Sequence, residues 1–346
     1  MYVTGANSRG RNFLAAVAVV AALWAPGATA AQRELGAPRG RGESTTGKAA
    51  LQKDRNMVKV ECSNPVARVR SIAAGLNQLG DERPATLLIS GTCHENVSIA
   101  TLDHVTLQGN PTATIDGGSD PSMGAVEIAD AQDITLSNLT ITGGGEGVGC
   151  FGQSYCNLLQ VTIENSLGDG VGVGVRCHLN LVDSVVQNNA GPGISQGAGS
   201  VNFFGGLIAN NSGDGISMRN GSYLGVSAGT VYPAATIQGN AGNGITAQSH
   251  STLALAATIT GNGGDGVTLQ GGSEMTTNGS SIANNGGHQV RIGDLSFVRF
   301  AGFHSNTIFG ANAPDVVCDP QFSATRQFSN LTGTTTNCPA ELPPTP

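Results

Sequence analysis

Aromatic side chains make up only 4% of this chain, with a single Trp. Any core must therefore be filled by Val, Ile, Leu and Ala. Charged residues are also sparse, at 12% of 346. Past residue 25 no apolar run is long enough to span a bilayer. No paired C-x-x-C with a His at ligand distance is present, which excludes the common zinc modules. No phosphate loop, dinucleotide fingerprint or Ser-His-Asp arrangement appears, and Gly143-Gly-Gly-Glu-Gly147 has no helix after it to make a phosphate cradle. Basic residues are few beyond the N-terminus. Residues 1–57 hold eight Lys/Arg against three Asp/Glu, which leaves nine against twenty-one in 58–346. That surface repels nucleic acid and anionic lipid.

Glycine is what the chain has in quantity, with 51 residues and no collagen triplet. Such a composition implies many tight turns. Arg9 and Arg11 precede an apolar stretch from Phe13 to Ala25, and Ala28-Thr29-Ala30 fits a small-residue cleavage site. Residues 1–31 are expected to be a signal peptide, giving a secreted or periplasmic protein with no membrane span after cleavage. Residues 32–57 lack apolar periodicity and are expected to be a disordered linker. Residues 58–340 are expected to form one domain, and 341–346 a disordered tail.

The organising feature is a phrase that returns about every 22 residues. It runs Ile208-Ala-Asn-Asn211-Ser-Gly-Asp-Gly-Ile216 and recurs as Ile259-Thr-Gly-Asn262-Gly-Gly-Asp-Gly-Val267. A fixed period of this size predicts a solenoid. Five clear copies, with a looser one in front, align into files. The aliphatic file is Ile163, Val186, Ile208, Ile237, Ile259, Ile282. The amide file is Ser166, Asn189, Asn211, Asn240, Asn262, Asn285. The turn file is Asp169, Pro192, Asp214, Asn243, Asp265, His288. The glycines beside each Asp are expected to supply unusual backbone angles. The strand after each turn has period two: Ile216 and Met218 point in, while Ser217 and Arg219 point out. One gap is longer and predicts a loop near Ser227 to Ala234. About ten rungs from Thr86 to Cys318 would make a monomeric rod of roughly 48 Å.

Pro65 to Leu79 places Val66, Val69, Ile72, Leu76 and Leu79 at helical spacing. This predicts an amphipathic helix that covers the open N-terminal end, pinned by a Cys62–Cys93 disulfide. Seven Cys in an exported chain are plausible disulfide partners. Cys318 and Cys338 sit near the C-terminus. Cys150, Cys156 and Cys177 form an odd trio. Cys156 and Cys177 are spaced by close to one rung, and one of the three must stay free.

The Asn and Gly files between short aliphatic strands resemble the right-handed parallel β-helix (pectin-lyase-like) superfamily. Ser90-Gly-Thr-Cys-His-Glu-Asn-Val-Ser-Ile99 resembles the opening of exported bacterial β-helix proteins of unassigned activity. The resemblance covers roughly 80% of the chain. It implies an all-β, single-stranded right-handed parallel β-helix with an N-terminal capping helix, in a superfamily that holds many carbohydrate-active enzymes.

The best chemical candidate is the turn file, with Glu146 just before it. Neighbouring carboxylates there suit an acid and a base, or the oxygen ligands of Ca²⁺, the one cofactor the pattern admits. Pro192 and Asn243 interrupt the Asp residues, so no two Asp occupy adjacent rungs, and Gly-Asp-Gly is also ordinary turn chemistry. His288 and Arg291 depart from the repeat and point to an anionic ligand or a proton donor beside Asp265. Asp214, Asp265, His288 and Arg291 are the expected catalytic residues, if there is catalysis. The motifs of polygalacturonases and alginate epimerases are incomplete here, and Arg219 and Arg291 fall in different files. The outward Ser195, Ser217, Thr246 and Thr268 form a row of hydroxyls. Three functions follow in order: a carbohydrate-interacting envelope protein without a catalytic constellation; a polysaccharide lyase or glycosidase; an ice- or surface-binding solenoid.

Overall fold

The computed structural model describes residues 56–80, 83–227, 234–293, 295–300, 306–319, 326–328 and 334–338. The expected signal peptide, nearly all of the expected linker, the tail and most of the loop after Ser227 lie outside the described residues. The first strand opens at Met57, one residue before the expected boundary.

The architecture is an all-β parallel solenoid of about ten turns. Among the described residues one sheet has ten strands and the other seventeen, and their pairings are parallel. The larger sheet bends within each rung. Strand His178–Gln187 pairs with Tyr155–Leu159 along one half and with Thr162–Glu164 along the other. The aliphatic file superposes as expected: Ile163, Val186, Ile208, Ile237, Ile259 and Ile282 are successive register partners. All six are fully buried.

The amide file is a continuous buried ladder. The Nδ2 groups of Asn189, Asn211, Asn240 and Asn262 each donate to the Oδ1 of the next rung at 2.9 Å, and their backbone N–H groups donate to the same oxygens at 3.1 Å. Gln289 ends the ladder by offering its Oε1 to Asn285 at 2.9 Å. The residue before each ladder member takes the left-handed conformation: Asn188, Asn210 and Asn284 at φ 56°, 55° and 56°, Gly239 and Gly261 at 64° and 66°. Asn and Gly tolerate that region best, so the Asn-Asn pairs carry two different jobs.

Two expectations need correction. The glycines beside Asp214 and Asp265 do not adopt positive φ; they are required by space. A Cβ on Gly215 would meet Ile237 Cγ2 at 2.5 Å and the Gly244 carbonyl oxygen at 2.6 Å. Rungs stacked this closely leave no room for a side chain there. The helix is also much shorter than the periodicity implied. It spans only Ile72–Leu76 and begins at Ser71, whose side chain accepts from Ala74 N–H. Glu95 accepts from Ile72 and Ala73 N–H at 2.6 and 3.1 Å, which fixes the helix start. Upstream, Asn64 and Ala67 close turns, and Val66 is 88% exposed. Ile72 and Gly75 pack on the first strands, near Val60 and Leu87.

Disulfides join Cys62–Cys93 and Cys318–Cys338. In the trio Cys150 bonds Cys177 and Cys156 is free and buried. Cys156 and Cys177 do lie on neighbouring rungs, but the strand carrying Cys150 supplies the partner. Three disulfides indicate an oxidising, extracytoplasmic compartment. Among the described residues no helix is long and apolar enough to cross a membrane.

The ladder yields a test. Asn240→Ala strips the acceptor from two Asn211 donors and should cost about 2–4 kcal/mol. Asn210→Ala removes only a left-handed-tolerant residue and should cost about 1 kcal/mol, with Asn210→Gly near neutral. Denaturant midpoints of the three variants check the order.

Candidate functional site

The ten-stranded sheet presents two outward files. The first reads Glu127, Gly149, Gly172, Ser195, Ser217, Thr246, Thr268, Arg291 in register. The second contains Phe151 and Arg219, with Gly174 and Gly197 on the rungs between them. Where other rungs carry side chains, Gly149, Gly172, Gly174 and Gly197 leave a bare backbone floor. Glu146 lies over it: a Cβ on Gly172 would collide with its carboxylate, and one on Gly149 would sit 2.7 Å from its Oε2. The Phe151 ring, 39% exposed, closes one edge against Gly149 and Gly174.

The turn file explains why carboxylates gather there. On regular rungs the Asx oxygen is held by the next turn. Asp214 Oδ1 accepts from Asn243 N–H, Asn243 Oδ1 from Asp265 N–H, and Asp265 Oδ1 from His288 N–H, each at 2.7 Å. The hydroxyl three residues on supplies a second bond: Thr246 accepts from Asn243 Nδ2 at 2.9 Å, and Thr268 donates to Asp265 at 3.0 Å. Thr246 and Thr268 are thereby buried at 7% and 4% exposure, withdrawn from any ordered water layer. Asp169 holds the same pose beside Gly191, but the next rung offers Pro192, which has no N–H. Three residues on stands Gly172, which has no hydroxyl. Asp169 is left with Ser195 from the following rung and the positive field of Arg219.

Glu146 occupies the turn file one rung earlier, where no protein donor among the described residues reaches its carboxylate. Burial first, then the charges of Asp169 and Glu127, push its pKa up to about 7. Burial also raises Asp169, against the opposing effects of Ser195 and Arg219. Glu127 accepts from Gly124 N–H at 3.1 Å. A carboxyl half-protonated near neutrality beside a second carboxyl suits general acid–base work. Among the described residues, the acidic and thiol ligand atoms that gather within 4.8 Å of one another in threes lie elsewhere, at the cysteines.

The sequence-expected residues lie toward the other end of the same face. Arg291 Nε binds Asp265 Oδ2 at 2.6 Å, and His288 Nδ1 lies 2.8 Å from the Pro314 carbonyl oxygen. Burial would raise Asp265, but bonds from Arg291, His288 N–H and Thr268 together hold its carboxyl below the usual range. Asp265, His288 and Arg291 are thus brought together, whereas Asp214 stands two rungs away behind Asn243. Arg291 lines a shallow cleft of about 370 Å³ with Gln270, Gly293, Asp319 and Asn337. Sequence alignment placed Glu146 ahead of the repeat rather than in it. The signal was present, since Glu146 precedes Asp169 by one full rung.

Two outcomes follow. The folded chain binds the Glu146 proton more tightly than the unfolded chain. Stability from this group is therefore complete below about pH 4.5 and declines as pH rises through about 7. Glu146→Gln should flatten that decline in melting temperature. Pro192→Ala restores a backbone donor facing Asp169 and should lower the Asp169 pKa in a carboxyl-carbon NMR titration, while Gly191→Ala should simply destabilise.

Residues 88–231 match the family model described as right handed beta helix region. No curated protein matches the sequence. Among solved structures, the A-module of a mannuronan C-5 epimerase from Azotobacter vinelandii aligns over 79% of this chain and 91% of its own, at 16% identity and TM-score 0.50. The ORF18 protein of Geobacillus virus E2 aligns over 81% and 61%, at 11% identity and TM-score 0.49. A pectate lyase aligns over 81% and 79%, at 11% identity and TM-score 0.42. With parallel rungs and an internal amide ladder, this chain folds as a parallel β-solenoid that holds a right handed beta helix region at residues 88–231.

Proposed function

We propose that this protein processes an extracellular polysaccharide by carboxyl chemistry on the glycine floor. Glu146 donates the proton to the leaving glycosidic oxygen. Asp169, whose pKa burial raises against the pull of Ser195 and Arg219, serves as its partner. The observation that carries this reading is the Glu146 carboxyl itself: raised to about 7, bare of protein donors, and laid over a strip of sheet with no side chains. Adjacent rungs are ~4.8 Å apart, close to the carboxyl separation of retaining glycosidases. Phe151 offers a face for a sugar ring. The fold is shared with an enzyme named for acting on mannuronan, which agrees with a polysaccharide substrate but does not select one. On this reading the short helix Ile72–Leu76 covers the first turn and keeps the rod monomeric.

A second seat on the same face is the group Asp265, His288 and Arg291, with Asp214 beyond it. The cleft that Arg291 lines favours it. There Arg291 would orient an anionic sugar and His288 would move a proton.

The test is release of reducing or unsaturated ends from a panel of plant, algal and bacterial polysaccharides, with and without Ca²⁺. Glu146→Gln should lower turnover at least 100-fold while leaving glycan retention in affinity electrophoresis intact. Turnover that survives Glu146→Gln but falls with His288→Ala would move the chemistry to the second seat. Retention without turnover of any polymer would sink the catalytic reading in favour of a glycan-binding envelope protein.

A further inference from the structure

Three sulfur atoms meet beneath the glycine floor. Cys150 lies in strand Val148–Phe151, between floor residue Gly149 and the Phe151 ring. Cys156 lies in strand Tyr155–Leu159 of the same turn. Cys177 comes from the next turn, two residues before Leu179, the register partner of Cys156. The three Sγ atoms are within 4.8 Å of one another, and their residues are 0%, 0% and 1% exposed. Cys150 is bonded to Cys177, and the free Cys156 Sγ stands 2.9 Å from Cys150 Sγ.

We propose that Cys150 is a shared partner, and that the chain exchanges between a Cys150–Cys177 and a Cys150–Cys156 disulfide. The Cys156 thiolate attacks Cys150 Sγ. A Cys156–Cys150 bond forms, the Cys150–Cys177 bond breaks, and its electron pair leaves on the Cys177 sulfur. That thiolate takes up the proton that Cys156 gave up, so no external oxidant or reductant enters. A soft metal ion would instead need all three thiolates at once, and hence prior reduction of the disulfide.

The isomers differ in what they clamp. Cys150–Cys177 spans 27 residues and ties successive turns together. Cys150–Cys156 would close a loop within one turn and restrain the unfolded chain less. The cross-turn bond, the one the folded chain holds, is the resting form, and exchange releases the clamp under Gly149 and Phe151. Burial sets the rate: it pushes the Cys156 thiol up to about 12. The attacking thiolate is scarce at neutral pH, and its fraction grows about tenfold per pH unit.

The experiment uses the full chain purified from an oxidising compartment without reductant. Samples held at pH 6 or pH 9 are quenched in acid denaturant, alkylated, digested without reduction and mapped by mass spectrometry. At pH 6 the label should fall on Cys156. At pH 9 it should appear on Cys177 as well, with an onset about tenfold faster per pH unit. Cys156→Ser should hold the Cys150–Cys177 bond at both pH values. Cys177→Ser should yield Cys150–Cys156. Label confined to Cys156 at both pH values in the unmodified chain overturns the proposal, whether or not Cys177→Ser folds.

Discussion

The structure depends on one buried contact repeated along its length: the side-chain amide of one Asn bonded to the Asn a rung away. Each such residue offers one oxygen to two donors of its neighbour and sends its own amide onward. In a dry interior each of these groups would be costly unpaired, so the file is self-consistent only when complete. It matches the rung spacing that the parallel strand pairings set, and that spacing dictates what can be built on the turns. Glycine beside each turn follows from it, because carbonyl oxygens and aliphatic methyls of the next rung occupy the place of a Cβ.

The turn file obeys a second version of the same rule. An Asx oxygen accepts the backbone N–H of the next rung, and a hydroxyl three residues on completes the set. Under this rule the Asp of a regular rung is tied into its turn, and Asp265 is tied in this way while also pairing with Arg291. The rule fails where Pro192 withholds an N–H and Gly172 withholds a hydroxyl. Asp169 and, one rung earlier, Glu146 are set there with little to bond, beside the described rung whose two outward positions, Gly172 and Gly174, are both glycine. The missing N–H and hydroxyl leave Asp169 underbonded, and the missing side chain at Gly172 makes room for the Glu146 carboxylate. The cost is borne by the fold: a buried carboxyl with a raised pKa opposes stability as it ionises. A regular hydroxyl on those rungs would remove that cost along with the acid.

Residue order alone determined the solenoid, its files, its rung count and the outward strand positions. Those features arise from contacts between equivalent residues one period away, and a period is visible in a linear string. Cys62–Cys93 was legible for a different reason, as two residues flanking one segment. Tertiary structure decided the rest. The helix shrank to Ile72–Leu76 because Ser71 and Glu95 fix its start, and Glu95 lies far along the chain. Cys150 rather than Cys156 took Cys177, although all three sulfurs meet in the interior, and residue spacing alone did not distinguish the two. Glu146, Asp169, Phe151 and the four floor glycines became one place only when rungs were stacked. Their neighbours are set by space across the sheet, where a single missing N–H or methyl carries meaning that sequence order does not show.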